Sequence, residues 1–148
     1  MFTLVKALSS DLPFLVDLRL NTMDEHMKNQ GLYLSVDEHK ERVLFQFHHF
    51  HLVKHENVVI GAVKYEDFES LTYIHQIQVR PEYQGRGYGR QILEHIMRLS
   101  PFDVFELKVL KNNPAYKLYR VLGFSVVDED EFEYRLRLTK DSKIFGDV

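Results

Sequence analysis

Cysteine is absent from all 148 residues of the chain. Disulfides, thiolate zinc sites and a cysteine nucleophile are thereby excluded, although the redox compartment stays undetermined. Long hydrophobic runs are missing too. The apolar opening MFTLVKALSSDLPFLVDLRL is broken by Lys6, Asp11 and Asp17, so it reads as neither a signal peptide nor a membrane span. No membrane partner is expected, and cytoplasm is the default location. Excess positive charge is also lacking. A formal net charge of -3 argues against a nucleic-acid partner, whose protein should present a strongly basic face.

What is present describes a globular chain. Hydrophobic residues make up 45% and charged residues 28%, with a length that suits one domain able to bury an ordinary core. No repeat, low-complexity tract or linker divides it, so a single domain over residues 1–148 is expected.

Glycine is scarce, and its placement is informative. Three of the seven glycines fall within five residues, in Val79-Arg80-Pro81-Glu82-Tyr83-Gln84-Gly85-Arg86-Gly87-Tyr88-Gly89. A β-branched run, Tyr73 to Val79, precedes them, and the amphipathic stretch Tyr88 to Met97 follows. Strand, glycine turn and helix start in that order bring backbone N–H groups together at the positive end of a helix dipole. Capture of a phosphate or pyrophosphate is the chemistry implied. A Walker loop would need Lys followed by Ser or Thr after its last glycine, whereas Gly89 is followed by Arg90-Gln91. A dinucleotide fingerprint needs Gly-x-Gly-x-x-Gly, and the glycines here are each two apart. The plain structural alternative is a glycine-rich hairpin turn.

Along the chain, Phe2 to Leu8 reads as a strand and Ser10-Asp11-Leu12-Pro13 as the start of a helix reaching about Asn29, with Gly31 ending it. Ser35-Val36-Asp37-Glu38 has capping-box spacing and opens a helix through about Phe47. Strands follow at Phe50 to Val53 and Val58 to Tyr65, then a loop at Asp67 to Ser70 and a strand from Thr72 to Val79. The helix after the glycine turn ends near Ser100-Pro101. Beyond it come a strand at Val104 to Leu110, a helix at Ala115 to Leu122, and a hairpin from Phe124 to Asp128 and Phe132 to Leu138. Asp128-Glu129-Asp130-Glu131 reads as an acidic turn.

Two motifs in this order resemble one family. Gln84-x-x-Gly87-x-Gly89 matches Gln/Arg-x-x-Gly-x-Gly/Ala, the pyrophosphate loop of the GCN5-related N-acetyltransferase (GNAT) superfamily. Some 30 residues on, LKVLKNNPAYKLYRVLGF (Leu107 to Phe124) resembles that superfamily's strand, Asn, and helix ending Leu-Tyr-x-x-x-Gly-Phe. The element order β-α-α-β-β-β-α-β-α-β-β agrees over nearly the whole chain.

The resemblance implies an α/β fold, a mixed sheet splayed between its fourth and fifth strands, with acetyl-CoA lying in the split. It implies main-chain pairing of Ile77, Gln78 and Val79 with pantetheine. Gln84, Gly85, Arg86, Gly87, Tyr88, Gly89 and Arg90 would hold the pyrophosphate, consistent with an amide nest. Tyr119 is the implied acid for the CoA thiolate, a phenol of pKa about 10 donating to a thiol of about 8.5; Tyr116 is a weaker competitor and a core aromatic the plain alternative. Family spacing selects Asn112 as the pantetheine contact, while the local Asn-Pro-Ala pattern selects Asn113, which is favoured.

For the general base, the resemblance implies a Glu or His on the fourth strand, and counting back from Gln84 puts Tyr73 and His75 at the two positions that such bases occupy in the superfamily. Tyr73 is a poor base, whereas an imidazole of pKa about 6.5 suits the task. Glu106 is a candidate only if its side chain points the right way. Water and strand carbonyls are a further possibility. Arg19, Asp24, Glu25 and His26 lie where an acceptor pocket would form, with Asp24 or Glu25 able to receive an amine. His48-His49-x-His51 invites a metal reading, but no carboxylate sits at ligand spacing, so no metal is expected.

The expected function is acetyl transfer from acetyl-CoA to a primary amine by direct attack in a ternary complex. The competing readings are a non-catalytic acyl-CoA-binding module of the same fold and, more distantly, a nucleotide-binding regulator. A homodimer through the exposed face of the last hairpin is a candidate assembly.

Overall fold

Two short turns with left-handed residues set the first half of the sheet. Glu56 and Asn57, both at positive φ (51° and 67°), join β2 (Phe50–His55) to β3 (Val58–Phe68). Glu69 at φ 56° helps reverse the chain from β3 into β4 (Leu71–Val79). The computed structural model describes residues 2–140. Its remaining strands are β1 (Phe2–Lys6), β5 (Val104–Leu110), β6 (Ser125–Glu129) and β7 (Glu133–Thr139). Together they form one seven-stranded mixed sheet in the order β1-β2-β3-β4-β5-β7-β6. Pairing is antiparallel at β1–β2, β2–β3, β5–β7 and β6–β7, and parallel at β4–β5.

The helices are α1 (Leu12–Arg19), α2 (Glu25–Asn29), α3 (Val36–Leu44), α4 (Tyr88–Leu99) and α5 (Ala115–Leu122). The sequence pattern predicts one unbroken helix through residues 12–29. Instead, Leu20–Asp24 widens to a π turn, and Thr22 Oγ1 donates to Leu18 O at 2.7 Å beside it. The capping box at α3 is present, Ser35 Oγ accepting from Glu38 N (3.1 Å) and Glu38 Oε1 from Ser35 N (3.0 Å), but the helix stops at Leu44 rather than near Phe47, where Phe45 turns to an extended ψ of 119°. β3 runs on to Phe68, so the expected loop at residues 67–70 shrinks to Glu69 and Ser70.

By contact density the described chain forms two compact units, residues 2–64 with 76–89, and residues 65–75 with 90–140. The first is built on a cluster of Leu15, Val16, Leu18, Val43, Phe50, Leu52 and Ala62, all buried. Lys64 is also buried there, its Nζ donating to Arg42 O (2.9 Å) and Phe45 O (2.6 Å) at the end of α3. In the second unit one stripe of α4 (Ile92, Leu93, Ile96, Met97) and one face of β5 (Phe105, Leu107, Val109) are buried. Pro114 stands at the start of α5, and Gly123 closes it at φ 110°, the left-handed position where a side chain would be strained.

Candidate active site

In the first unit, β4 ends at Val79 and the chain is clamped before it turns. Arg80 N donates to Ile60 O at 2.8 Å, and Arg80 Nη1 donates to Val59 O at 3.0 Å. Pro81–Tyr83 then form a single 3-10 turn. Gln84 Nε2 reaches back to Val79 O at 2.8 Å, which ties the loop to the strand it leaves. Gly85 (φ 76°) and Gly87 (φ 82°) adopt left-handed conformations that non-glycine residues rarely tolerate. Gln84 to Gly87 are exposed, and Gly85 has open space where a side chain would point. Gly89 already belongs to α4, whose first amides have no intrahelical acceptor. The loop therefore offers N–H groups and positive helix-end potential to an anion from outside.

The two arginines are placed differently from each other. Arg86 lies over the Tyr83 ring, its Cζ 5.5 Å from the centroid, on a ring that Arg80 also approaches at 5.5 Å. Arg90 Nε sits 3.6 Å from Glu94 Oε1 one turn along α4. Tyr88 is half-buried in an aromatic group with Phe2 (5.7 Å, edge-on), His55 (5.3 Å) and Tyr83 (6.4 Å). Behind the strand, Gly61 lies against the backbone of Gln78 and Val79, with no room for a β-carbon. The Gln78 side chain is buried and points toward Met23 Sδ (3.0 Å), so its main chain is the part left for the expected pantetheine contact.

The second unit carries the candidate proton-transfer groups. β4 and β5 pair in parallel from Leu71↔Val104 to Ile74↔Leu107, which sets Tyr73 beside Glu106. His75 Nε2 is 2.7 Å from Glu66 Oε1, with side chains 19% and 17% exposed. Tyr73 packs edge-on against the imidazole at 4.6 Å. Burial raises the Tyr73 phenol above its ordinary value, and the nearby Glu133 and Glu106 carboxylates push it the same way. It is accordingly even less available as a phenolate at neutral pH than a free tyrosine.

Glu106 is turned away from the base role. It is 6% exposed, and both of its oxygens are taken by cations. Arg135 Nη1 donates to Oε1 at 3.1 Å, and Arg137 Nε donates to Oε2 at 2.8 Å. β7 presents these arginines two residues apart, with Arg137 directly across the ladder from Glu106.

Tyr119 is on α5, 6% exposed, and its ring meets Phe124 edge-on at 5.9 Å. Burial alone pushes its phenol up to about 12. The expectation of an ordinary phenol acid is therefore modified: Tyr119 stays protonated over the whole physiological range, at the cost of weaker driving force. No hydrogen-bond partner for its hydroxyl is found among the described residues. Tyr116 stacks instead on Tyr134 at 4.8 Å.

Asn113 has a local structural task. Its Oδ1 accepts from Ala115 N at 2.9 Å, opening α5, which leaves its amide NH2 and one oxygen lone pair for a ligand. Asp24 is likewise engaged. Its carboxylate bonds Lys28 Nζ (3.0 Å) and His39 Nε2 (2.9 Å), and these partners hold it below the usual carboxylate range. Arg19, buried, donates through Nε to His39 Nδ1 at 3.0 Å. This network makes Asp24 part of the helix packing rather than an open amine receiver. His48 and His49 stack at 4.0 Å, and His51 Nδ1 lies 3.2 Å from His49 O. The acidic run is a turn as expected, Asp130 Oδ1 accepting from Phe132 N (2.8 Å) and Glu133 N (2.7 Å).

Sequence reasoning missed Glu66. Placing the reversal at Glu69 and Ser70, rather than in a four-residue loop, would have brought it within reach of His75.

A family model described as "Acetyltransferase (GNAT) family" matches residues 17–124. The chain is 39% identical over 64 residues to the N-alpha-acetyltransferase RimI of Mycobacterium tuberculosis. That match takes in 43% of this chain and 40% of the relative, well under two thirds of its length. Among solved structures, the PaiA N-acetyltransferase of Thermoplasma acidophilum in complex with coenzyme A aligns with a TM-score of 0.70 at 17% identity, covering 94% of this chain and 99% of that one. The ribosomal-protein-S18-alanine N-acetyltransferase of Escherichia coli aligns with a TM-score of 0.67 at 19% identity, covering 94% of each. At such identities the structural likeness is one of fold. Among the described residues, no helix is long and apolar enough to cross a membrane.

Proposed function

The chain belongs to the acetyltransferase (GNAT) family, and from that footing we propose that it moves an acetyl group from acetyl-CoA to a primary amine. The α-amine at a peptide N-terminus is the first acceptor class to try, since the RimI relative is named an N-alpha-acetyltransferase. The observation that carries the reading is the exposed turn after β4. Gly85 and Gly87 are left-handed, Gln84 ties the turn to Val79, and α4 begins directly behind it.

In this reading the amides of Gly85 to Arg90 take the pyrophosphate, with Arg86 and Arg90 adding charge. The main chain of Ile77, Gln78 and Val79 aligns the pantetheine, and the amide of Asn113 supplies a further contact. The amine attacks the thioester carbonyl directly, while strand amides polarise that carbonyl. The C–S bond breaks with its electron pair on sulfur, and Tyr119 delivers a proton to it. The chain acts as one domain in this scheme, and no covalent enzyme intermediate or metal is required.

Thermal unfolding with acetyl-CoA, CoA and ATP tests the reading. A specific ligand at a hundredfold excess over its dissociation constant adds about 2.7 kcal/mol, or roughly 2–5 °C for a domain of this size. Shifts with both CoA species and none with ATP are expected. A folded protein that shifts with neither CoA species would overturn it.

A further inference from the structure

We propose that Glu66 is a positioning residue for His75, fixing the imidazole tautomer that carries its lone pair on Nδ1. The inference rests on the acetyltransferase reading above and assigns the proton acceptor within it. Of four carboxylates near this part of β4, two are committed elsewhere and a third, Glu133, acts on the Tyr73 phenol. Asp67 Oδ1 accepts from Thr72 Oγ1 at 2.7 Å, and Glu106 is held by Arg135 and Arg137. Glu66 is aimed at the imidazole, 2.7 Å from Nε2, with both side chains about four-fifths buried.

A carboxylate is an acceptor only, so this short contact places a proton on Nε2 and leaves Nδ1 as the basic atom. Tyr73, edge-on at 4.6 Å, limits rotation of the ring about that hydrogen bond. The same carboxylate stabilises the imidazolium once it forms. The groups gathered about this face are thus Glu66 from β3, Tyr73 from β4, Glu106 from β5, and Arg135 and Glu133 from β7.

The step balances as follows. The acceptor enters as the free amine, its nitrogen bonds the acetyl carbon, and its proton passes to His75 Nδ1. As the C–S bond breaks, the thiolate takes the Tyr119 proton. The imidazolium then returns a proton to the phenolate through water, which restores both side chains and leaves amide and free thiol.

The test uses full-length protein labelled with nitrogen-15, reading the His75 ring nitrogens by long-range proton–nitrogen correlation with His75→Gln for assignment. In parallel, kcat and KM are measured with acetyl-CoA and a panel of short peptides with free N-terminal amines. The wild-type ring should carry its proton on Nε2, and Glu66→Leu should mix the tautomers. Turnover should fall on the order of a hundredfold, within the usual range for general base catalysis, while KM for acetyl-CoA stays put. Glu66→Gln, which keeps an acceptor oxygen without the charge, should fall between. The double variant with His75→Gln should be no slower than the slower single variant. A proton on Nδ1 in the wild type, an unchanged tautomer in Glu66→Leu, or additive losses in the double variant would overturn the proposal. If no peptide turns over, the tautomer measurement decides alone. Failure of the acetyltransferase reading itself would appear separately, as loss of the CoA thermal shift in the wild type.

Discussion

Gly61 in β3 lies so close to the carbonyl of Gln78 that a β-carbon there would overlap it. The neighbouring atom is backbone, so relief requires one strand to move. Gly61→Ala should therefore shift the end of β4, which carries the proposed pantetheine contacts. Overpacking of this kind costs roughly 1–3 kcal/mol of stability. Affinity for CoA should fall about tenfold, the equivalent of about 1.4 kcal/mol. Calorimetric titration with CoA checks it against Ser35→Ala, a cap variant expected to lose about 1 kcal/mol of stability. Equal CoA affinity in both variants would show that the close approach does not shape the ligand site.

Tyr119 buries a phenol that touches Phe124 and is pushed up to about 12. Removing only its oxygen leaves the packing intact, so Tyr119→Phe should change stability by less than about 0.5 kcal/mol. CoA affinity should be retained. Turnover should drop on the order of a hundredfold or more, since general acid help is lost. Because the folded phenol is harder to ionise, any alkaline loss of activity due to this residue should wait until pH approaches about 12. A loss near pH 10 that Tyr119→Phe abolishes would contradict the buried placement.

The features legible in the sequence are those with local causes. The capping box at Ser35 and Glu38, the glycine turn and the left-handed Gly123 depend on neighbours within a few residues, and all three are present in the fold. The motifs at residues 84–89 and 107–124 were enough to indicate the family that the model match over residues 17–124 establishes. What stayed hidden depends on partners far along the chain. Glu66 faces His75 nine residues away, Glu106 meets Arg135 and Arg137 about 30 residues away, and Asp24 meets His39 across two helices. A charge pattern does not reveal which carboxylate is neutralised and which is aimed at a base. The π turn at Leu20–Asp24 was equally hidden, because apolar spacing alone does not register one extra residue in a turn.

Lys64 is 1% exposed, and burial lowers its ammonium to about 8 with the Arg19 charge acting in the same direction. Its unfolded value is near 10.4. Between these values the unfolded chain holds a proton that the folded chain has released, so this residue makes stability rise with pH across that window. Below pH 8 both states are protonated and the slope vanishes. Lys64→Met keeps the apolar stem between Phe45 and Phe50 and removes the titration. The difference in Tm between wild type and Lys64→Met should therefore move in favour of the wild type from about pH 8 to 10. A flat difference would mean that the ammonium keeps its ordinary affinity for its proton.

Glu106 and His75 separate structure from catalysis on the same strand pair. Glu106 accepts from two arginines, Arg135 being 33% and Arg137 45% exposed at the side chain. Glu106→Gln replaces a carboxylate with an amide whose NH2 opposes the guanidinium donors. Because both arginines reach water, they can rehydrate, which keeps the loss below that of a fully buried broken pair. A loss of about 1–3 kcal/mol is expected, measured by urea denaturation. Turnover per folded molecule should stay within a factor of about three, since under the present assignment the proton goes to His75. Should Glu106→Gln instead abolish turnover while the protein remains folded and binds CoA, the base would have to be sought at Glu106 and the role of His75 withdrawn.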